Sequence, residues 1–118
     1  RQRVIDILLE VTNAHKIENS LQVIKQFIPD VNFSEDILTK FPDQFSGGER
    51  QRIVILRTLC LLPKFIILDE PTASLDASTQ QAVVSLLKKL QEKYQLSYLL
   101  ITHDKHVLES LSHRFYQL

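Results

Sequence analysis

The sequence predicts an α/β chain, a small helical unit followed by a parallel βαβ core. Three observations carry this. Through residues 1–43 apolar side chains recur at helical spacing, with no strand-like run among them. Beyond them, two short continuous apolar runs, residues 65–68 and 98–101, alternate with longer stretches of helical period. Two acids, Asp69 and Glu70, stand at the end of the first run, where open parallel sheets present ligand-binding groups.

Each element has its own signal. Residues 3–14 set Val4, Ile5, Leu8, Leu9 and Val11 mostly on one helical stripe. Asn19 and Ser20 offer a cap for a second helix ending near Ile28 and Pro29. Ser34 with Glu35 and Asp36 resembles the cap and acidic first turn of a third, which Pro42 and Asp43 break. Ser46 then precedes a helix running to about Leu62, with Ile53, Leu56, Leu59 and Cys60 as its inner stripe. After Pro63, residues 65–68 have the look of a strand buried on both faces. Residues 76–91 form a long helix with Val83, Leu86, Leu87 and Leu90 inward, and residues 98–101 a second buried strand. A short helix over 105–111 and a last strand over 114–118 complete the order. Strand, helix, strand, helix, strand is the rhythm of a parallel sheet with right-handed crossovers. The expected division is 1–43 and 44–118.

Composition narrows the function classes. With 118 residues, 44% of them hydrophobic and 24% charged, the chain is one soluble-type domain or part of one. Fourteen basic and fourteen acidic residues cancel, so no global field draws it to nucleic acid or an anionic membrane. One cysteine, Cys60, excludes an internal disulfide and, lying in an apolar stretch, reads as a buried structural thiol. No stretch has the pattern of a signal peptide or the length of a membrane span. The chain begins at Arg1 and contains no methionine, which leads us to expect an excised piece of a longer protein.

Several residues carry chemistry. At a strand's carboxyl edge Asp69 can hold a magnesium ion and Glu70 can orient or deprotonate water; taken alone, such a pair is more often a solvated acidic turn, here before Pro71. Ser46-Gly47-Gly48 can bring backbone N–H groups at a helix start close to a phosphate; its plain reading is a serine-capped helix after a tight glycine turn. His103 follows the second apolar run and could hydrogen-bond a terminal phosphate, though a lone histidine is more often structural or exposed. His15, His106 and His113 have no such placement. Asp76 reads first as the N-cap of the long helix.

In order and spacing these pieces resemble the C-terminal half of an ABC-type ATPase domain. Phe45-Ser46-Gly47-Gly48-Glu49 is similar to the family's Leu-Ser-Gly-Gly-Gln signature, with Phe45 for leucine and Glu49 for glutamine. Residues 65–69 resemble the Walker B strand, Glu70 falls at the catalytic glutamate position, residues 73–76 match the D-loop and His103 the switch histidine. The resemblance covers essentially the whole chain, with residues 1–43 as the helical subdomain. A G-x-x-x-x-G-K-[ST] phosphate loop is not possible here, because the only two glycines are adjacent.

The resemblance implies a partial P-loop NTPase fold lacking its Walker A half. It implies ATP and Mg²⁺ as cofactors, with Asp69 at the metal and Glu70 and His103 as catalytic residues. Ser46, Gly47, Gly48, Glu49 and Asp76 would act on nucleotide held across a head-to-tail dimer with a second ATPase domain. The motifs most resemble bacterial peptide and nickel importer ATPases. That implies transmembrane permease partners, no nucleic-acid partner, and a peripheral place on the cytoplasmic face of the membrane. The alternative is a soluble ABC ATPase of translation or DNA repair, against which zero net charge and the lack of a long heptad run both count. Without a phosphate loop, the chain alone is expected to be inactive.

Overall fold

In a computed structural model of the chain, residues 1–111 are described. His113 and the strand expected over 114–118 lie outside the described residues. The backbone forms two compact units, Arg1–Pro63 and the segment from Lys64 onward.

The first unit contains α1 (Val4–Ala14), α2 (Ser20–Phe27) and α3 (Gly47–Leu59), joined by 3-10 turns over Pro29–Val31, Glu35–Thr39 and Pro42–Gln44. At the start of α1 the Arg3 amide donates to the Asp6 carboxylate at 3.1 Å. Val4 and Leu8 are fully buried, and Thr12 joins them because its hydroxyl donates to the Leu8 carbonyl at 2.9 Å and leaves no polar group unpaired. The expected cap of α2 is not formed. Asn19 is left-handed, with φ of 55°, and its side chain bonds no amide of the helix. The third helix is also shorter than expected. Ser34 gives its hydroxyl to the Asp36 carboxylate rather than capping an amide, and the segment closes as a 3-10 turn before Pro42. That turn still buries Ile37 and Leu38.

In α3 the stripe Ile53, Leu56, Leu59 and Cys60 is buried as its spacing predicts. Burial pushes the Cys60 thiol up to about 12, so it is not ionised near neutral pH. The helix packs on α2 and on the Pro29–Val31 turn. It therefore belongs to the same compact unit as the residues before it, and the units part after Pro63 rather than after residue 43.

The second unit is β1 (Phe65–Asp69), α4 (Ala77–Tyr94), β2 (Ser97–Ile101) and α5 (Lys105–Leu111). The strands pair in parallel, in register from Phe65 beside Ser97 to Asp69 beside Ile101, with α4 as the crossover. Left-handed Gln95 ends α4, Leu96 is buried, and the Ser97 amide opens the ladder on the Lys64 carbonyl at 2.9 Å. Val83, Leu86, Leu87 and Leu90 are buried along α4 as expected.

The strands are not buried on both faces. Ile66, Leu68, Tyr98 and Leu100 share the covered face, and the Tyr98 hydroxyl donates to the Leu87 carbonyl of α4 at 2.6 Å. On the opposite face Phe65, Ile67, Leu99 and Ile101 are 49–59% exposed, because a single crossover helix can back only one side of two strands.

Candidate active site

The first group of site residues opens α3. Ser46 accepts the Glu49 amide on its hydroxyl at 3.2 Å, and Glu49 accepts the Ser46 amide on its carboxylate at 3.0 Å. These bonds form a reciprocal capping box. The bond from the Ser46 amide is the main reason the Glu49 carboxyl is held below its usual value. Gly47 and Gly48 are the first helical residues, and neither has positive φ. The tight glycine turn considered from sequence is therefore not why they are glycine. Gly48 is buried, and Gly47 is exposed without a side chain to block approach. With the Ser46 and Glu49 amides taken, the Gly47 and Gly48 N–H groups have no acceptor among the described residues. Two free donors at a helix start, beside a serine hydroxyl, suit an anion.

Arg52 supports this loop, a residue the motifs did not single out. It donates to the Val31 and Asn32 carbonyls at 3.1 and 2.9 Å, and its guanidinium lies 4.2 Å from the centre of the Phe33 ring. Phe33 meets Phe45 edge to face at 5.9 Å, so the residue before Ser46 is packed from behind. An arginine in a helix reads from sequence only as a solvated face.

The second group lies at the carboxyl ends of β1 and β2. Asp69 is exposed at the end of β1. Glu70 has φ of 48°, a left-handed conformation that costs a non-glycine residue about 1–2 kcal/mol. Its amide donates to the Ile101 carbonyl at 2.8 Å, which holds the turn against β2. Its carboxylate accepts the His103 amide at 3.2 Å and the Thr102 hydroxyl at 3.4 Å, and the His103 Nε2 lies 3.6 Å away. Glu70 and His103 are thus brought together, with the imidazole open to solvent. Strained backbone of this kind concentrates where a side chain must be aimed.

Asp76 caps α4. Its carboxylate accepts the Thr79 amide at 2.8 Å and the Ser78 hydroxyl at 3.0 Å. Those bonds, the Thr79 amide first, hold its carboxyl below the usual range.

No group of three or more potential metal-ligating side chains occurs among the described residues. A magnesium ion needs only one or two carboxylates when phosphate oxygens and water complete its octahedron. Exposed Asp69, whose carboxylate has no partner among the described residues, fits that donor set. No helix among the described residues is long and apolar enough to cross a membrane.

Comparison with known proteins identifies the family and the fold. The chain is 42% identical over 118 residues to the oligopeptide transport ATP-binding protein OppF of Streptococcus mutans, covering 97% of this chain and 38% of that protein. Its fold matches an ABC transporter solved in an inward-facing conformation, with TM-score 0.84 and 29% identity over 94% of this chain and 47% of that one. It also matches an ATP-binding cassette solved as a dimer in a post-hydrolysis state with ADP and Pi, with TM-score 0.58 and 33% identity over 76% of this chain and 37% of that one. The chain therefore spans less than half the length of each. Residues 2–73, more than half of the sequence and including the Ser46 cap and the Asp69-Glu70 turn, match the family model described as ABC transporter; the chain belongs to the ABC transporter family.

Proposed function

We propose that the chain is part of the ATP-hydrolysing subunit of an importer of peptide type, and that it supplies pieces of two nucleotide sites. One observation carries this: the Glu70 carboxylate is held by the Thr102 hydroxyl and His103 amide at a strand end, beside an Asp69 carboxylate with no partner among the described residues. Glu70 orients and polarises the attacking water, and His103 reaches toward the terminal phosphate. Asp69 holds Mg²⁺, which when bound would neutralise charge developing on the phosphates.

The α3 start serves the other site. Ser46, Gly47 and Gly48 donate to the phosphate of ATP held by a second ATPase domain in a head-to-tail pair, while Glu49 keeps the cap closed. The free Gly47 and Gly48 donors at the α3 start support this reading, because they stand at a helix N-terminus that no acceptor among the described residues satisfies. Asp76, fixed at the α4 start, couples the two sites. The likeness to a cassette solved as a dimer with ADP and Pi supports this arrangement. The likeness to an oligopeptide transport protein supports the substrate class. Permease subunits in the membrane are the further partners, and the subunit sits peripherally on their cytoplasmic side.

Turnover tests the reading. A complete cassette carrying these residues should hydrolyse ATP and lose nearly all turnover in Glu70→Gln, which keeps shape and removes the charge. The 118-residue chain by itself should show none. Robust hydrolysis by the chain alone that Glu70→Gln abolishes would overturn the shared-site assignment. Full turnover in the cassette variant would overturn the role of Glu70.

A further inference from the structure

The carboxylate of Glu70 has only Thr102 and His103 as partners among the described residues. Its orientation is therefore inherited from the 102–104 loop, and the question is what holds that loop. The Thr102 hydroxyl accepts the Asp104 amide at 3.0 Å, which leaves its own proton directed at Glu70. Asp104 divides its two carboxylate oxygens. Oδ1 takes the His106 and Val107 amides, at 2.9 and 3.3 Å, and caps α5. Oδ2 takes the Gln80 Nε2 at 2.5 Å, across from α4. Gln80 is anchored in turn, its amide donating to the Asp76 carbonyl at 2.8 Å. A continuous path thus runs from the α4 start through Gln80, Asp104 and Thr102 to Glu70.

We propose that Gln80 and Asp104 are positioning residues, which fix the 102–104 loop to the α4 start and so hold Glu70 and His103 in register. The proposal rests on the catalytic reading of those two residues. Capping of α5 does not explain the arrangement, because a cap uses Oδ1 alone. The bond to Gln80 is an additional, part-buried and charge-assisted one between two elements. Its bonding partner Asp104 adjoins His103, and its backbone is tied to Asp76, so a shift at either place is carried to the other.

Two measurements test this. In the 118-residue chain, amide hydrogen exchange followed by NMR should show the His103 and Asp104 amides exchanging roughly tenfold faster in Gln80→Leu. The Leu87 amide should keep its protection, and the thermal midpoint should fall by no more than the loss of one hydrogen bond brings. Gln80→Arg, which restores a donor to the Asp104 carboxylate, should restore protection. Unchanged exchange at His103, or faster exchange throughout α4 and β1, would overturn the proposal. In a complete cassette, Gln80→Leu should lower kcat roughly tenfold at unchanged KM for ATP, with recovery in Gln80→Arg. Loss of turnover in Glu70→Gln without a kcat change in Gln80→Leu would sink the positioning role alone. Intact turnover in Glu70→Gln would sink the catalytic reading and this proposal with it.

Discussion

Ser46 meets two demands with one side chain. Its hydroxyl closes the capping box on the Glu49 amide, and the same exposed oxygen stands beside the free Gly47 and Gly48 donors. Substitutions separate the demands. Ser46→Ala removes the cap acceptor and should cost about 1 kcal/mol of stability, read as a lowered midpoint in denaturant. Ser46→Asp keeps an acceptor for the Glu49 amide, so it should fold about as well as the parent chain. In a complete cassette it should nonetheless abolish turnover, because a carboxylate would stand where the partner's phosphate must come. Equal turnover in the two variants would mean that Ser46 only caps. Glu70 presents the reverse case. Its left-handed backbone is a local cost that the amide bond to the Ile101 carbonyl offsets in part, and the side chain it aims is the one proposed to polarise water.

At the scale of elements, the Tyr98 hydroxyl ties the covered face of the sheet to its crossover helix through the Leu87 carbonyl. Tyr98→Phe should cost about 1 kcal/mol, since a hydrogen bond is lost while the carbonyl stays in its helix. Burial raises the Tyr98 phenol from 10.0 to about 12. The folded state thus favours the protonated phenol. That contribution is complete below pH 10 and is lost as pH rises from 10 toward 12, which ultraviolet titration against unfolding would follow. Asp76 behaves oppositely. Its carboxyl is depressed below 3.8 by the Thr79 amide first, so its contribution is present above 3.8 and fades as pH falls through the folded value. Asp76→Asn should keep the cap at neutral pH and flatten that acid-side dependence. Elements of this kind were legible in the sequence wherever period and stop signals agreed, as in α3, α4 and α5. Asn19 and Ser34 misled because a cap depends on backbone conformation and on competing side-chain partners, neither of which residue type specifies.

For the whole molecule, the site was more legible than the packing. Asp69, Glu70 and His103 could be placed at strand ends because a short apolar run marks a strand and the polar residues after it mark where it stops. The links through Gln80, Asp104 and Arg52 could not, since polar residues on helices announce no partner. Nor could the open sheet face, because an apolar run shows that a strand needs cover and not whether cover exists. That face sets the behaviour of the isolated chain. Phe65, Ile67, Leu99 and Ile101 form a contiguous apolar patch on parallel strands, an arrangement that stable proteins cover on both sides. In solutions of the 118-residue chain the available cover is a second copy. Sedimentation should therefore show mass rising with concentration, and more steeply at high salt than at low. Ile67→Thr with Leu99→Thr keeps β-branched or strand-compatible side chains while removing apolar surface, and should return the chain to a concentration-independent monomer. A parent chain that stays monomeric at every concentration would show that this face tolerates water, and that the two strands owe their order to the covered side alone.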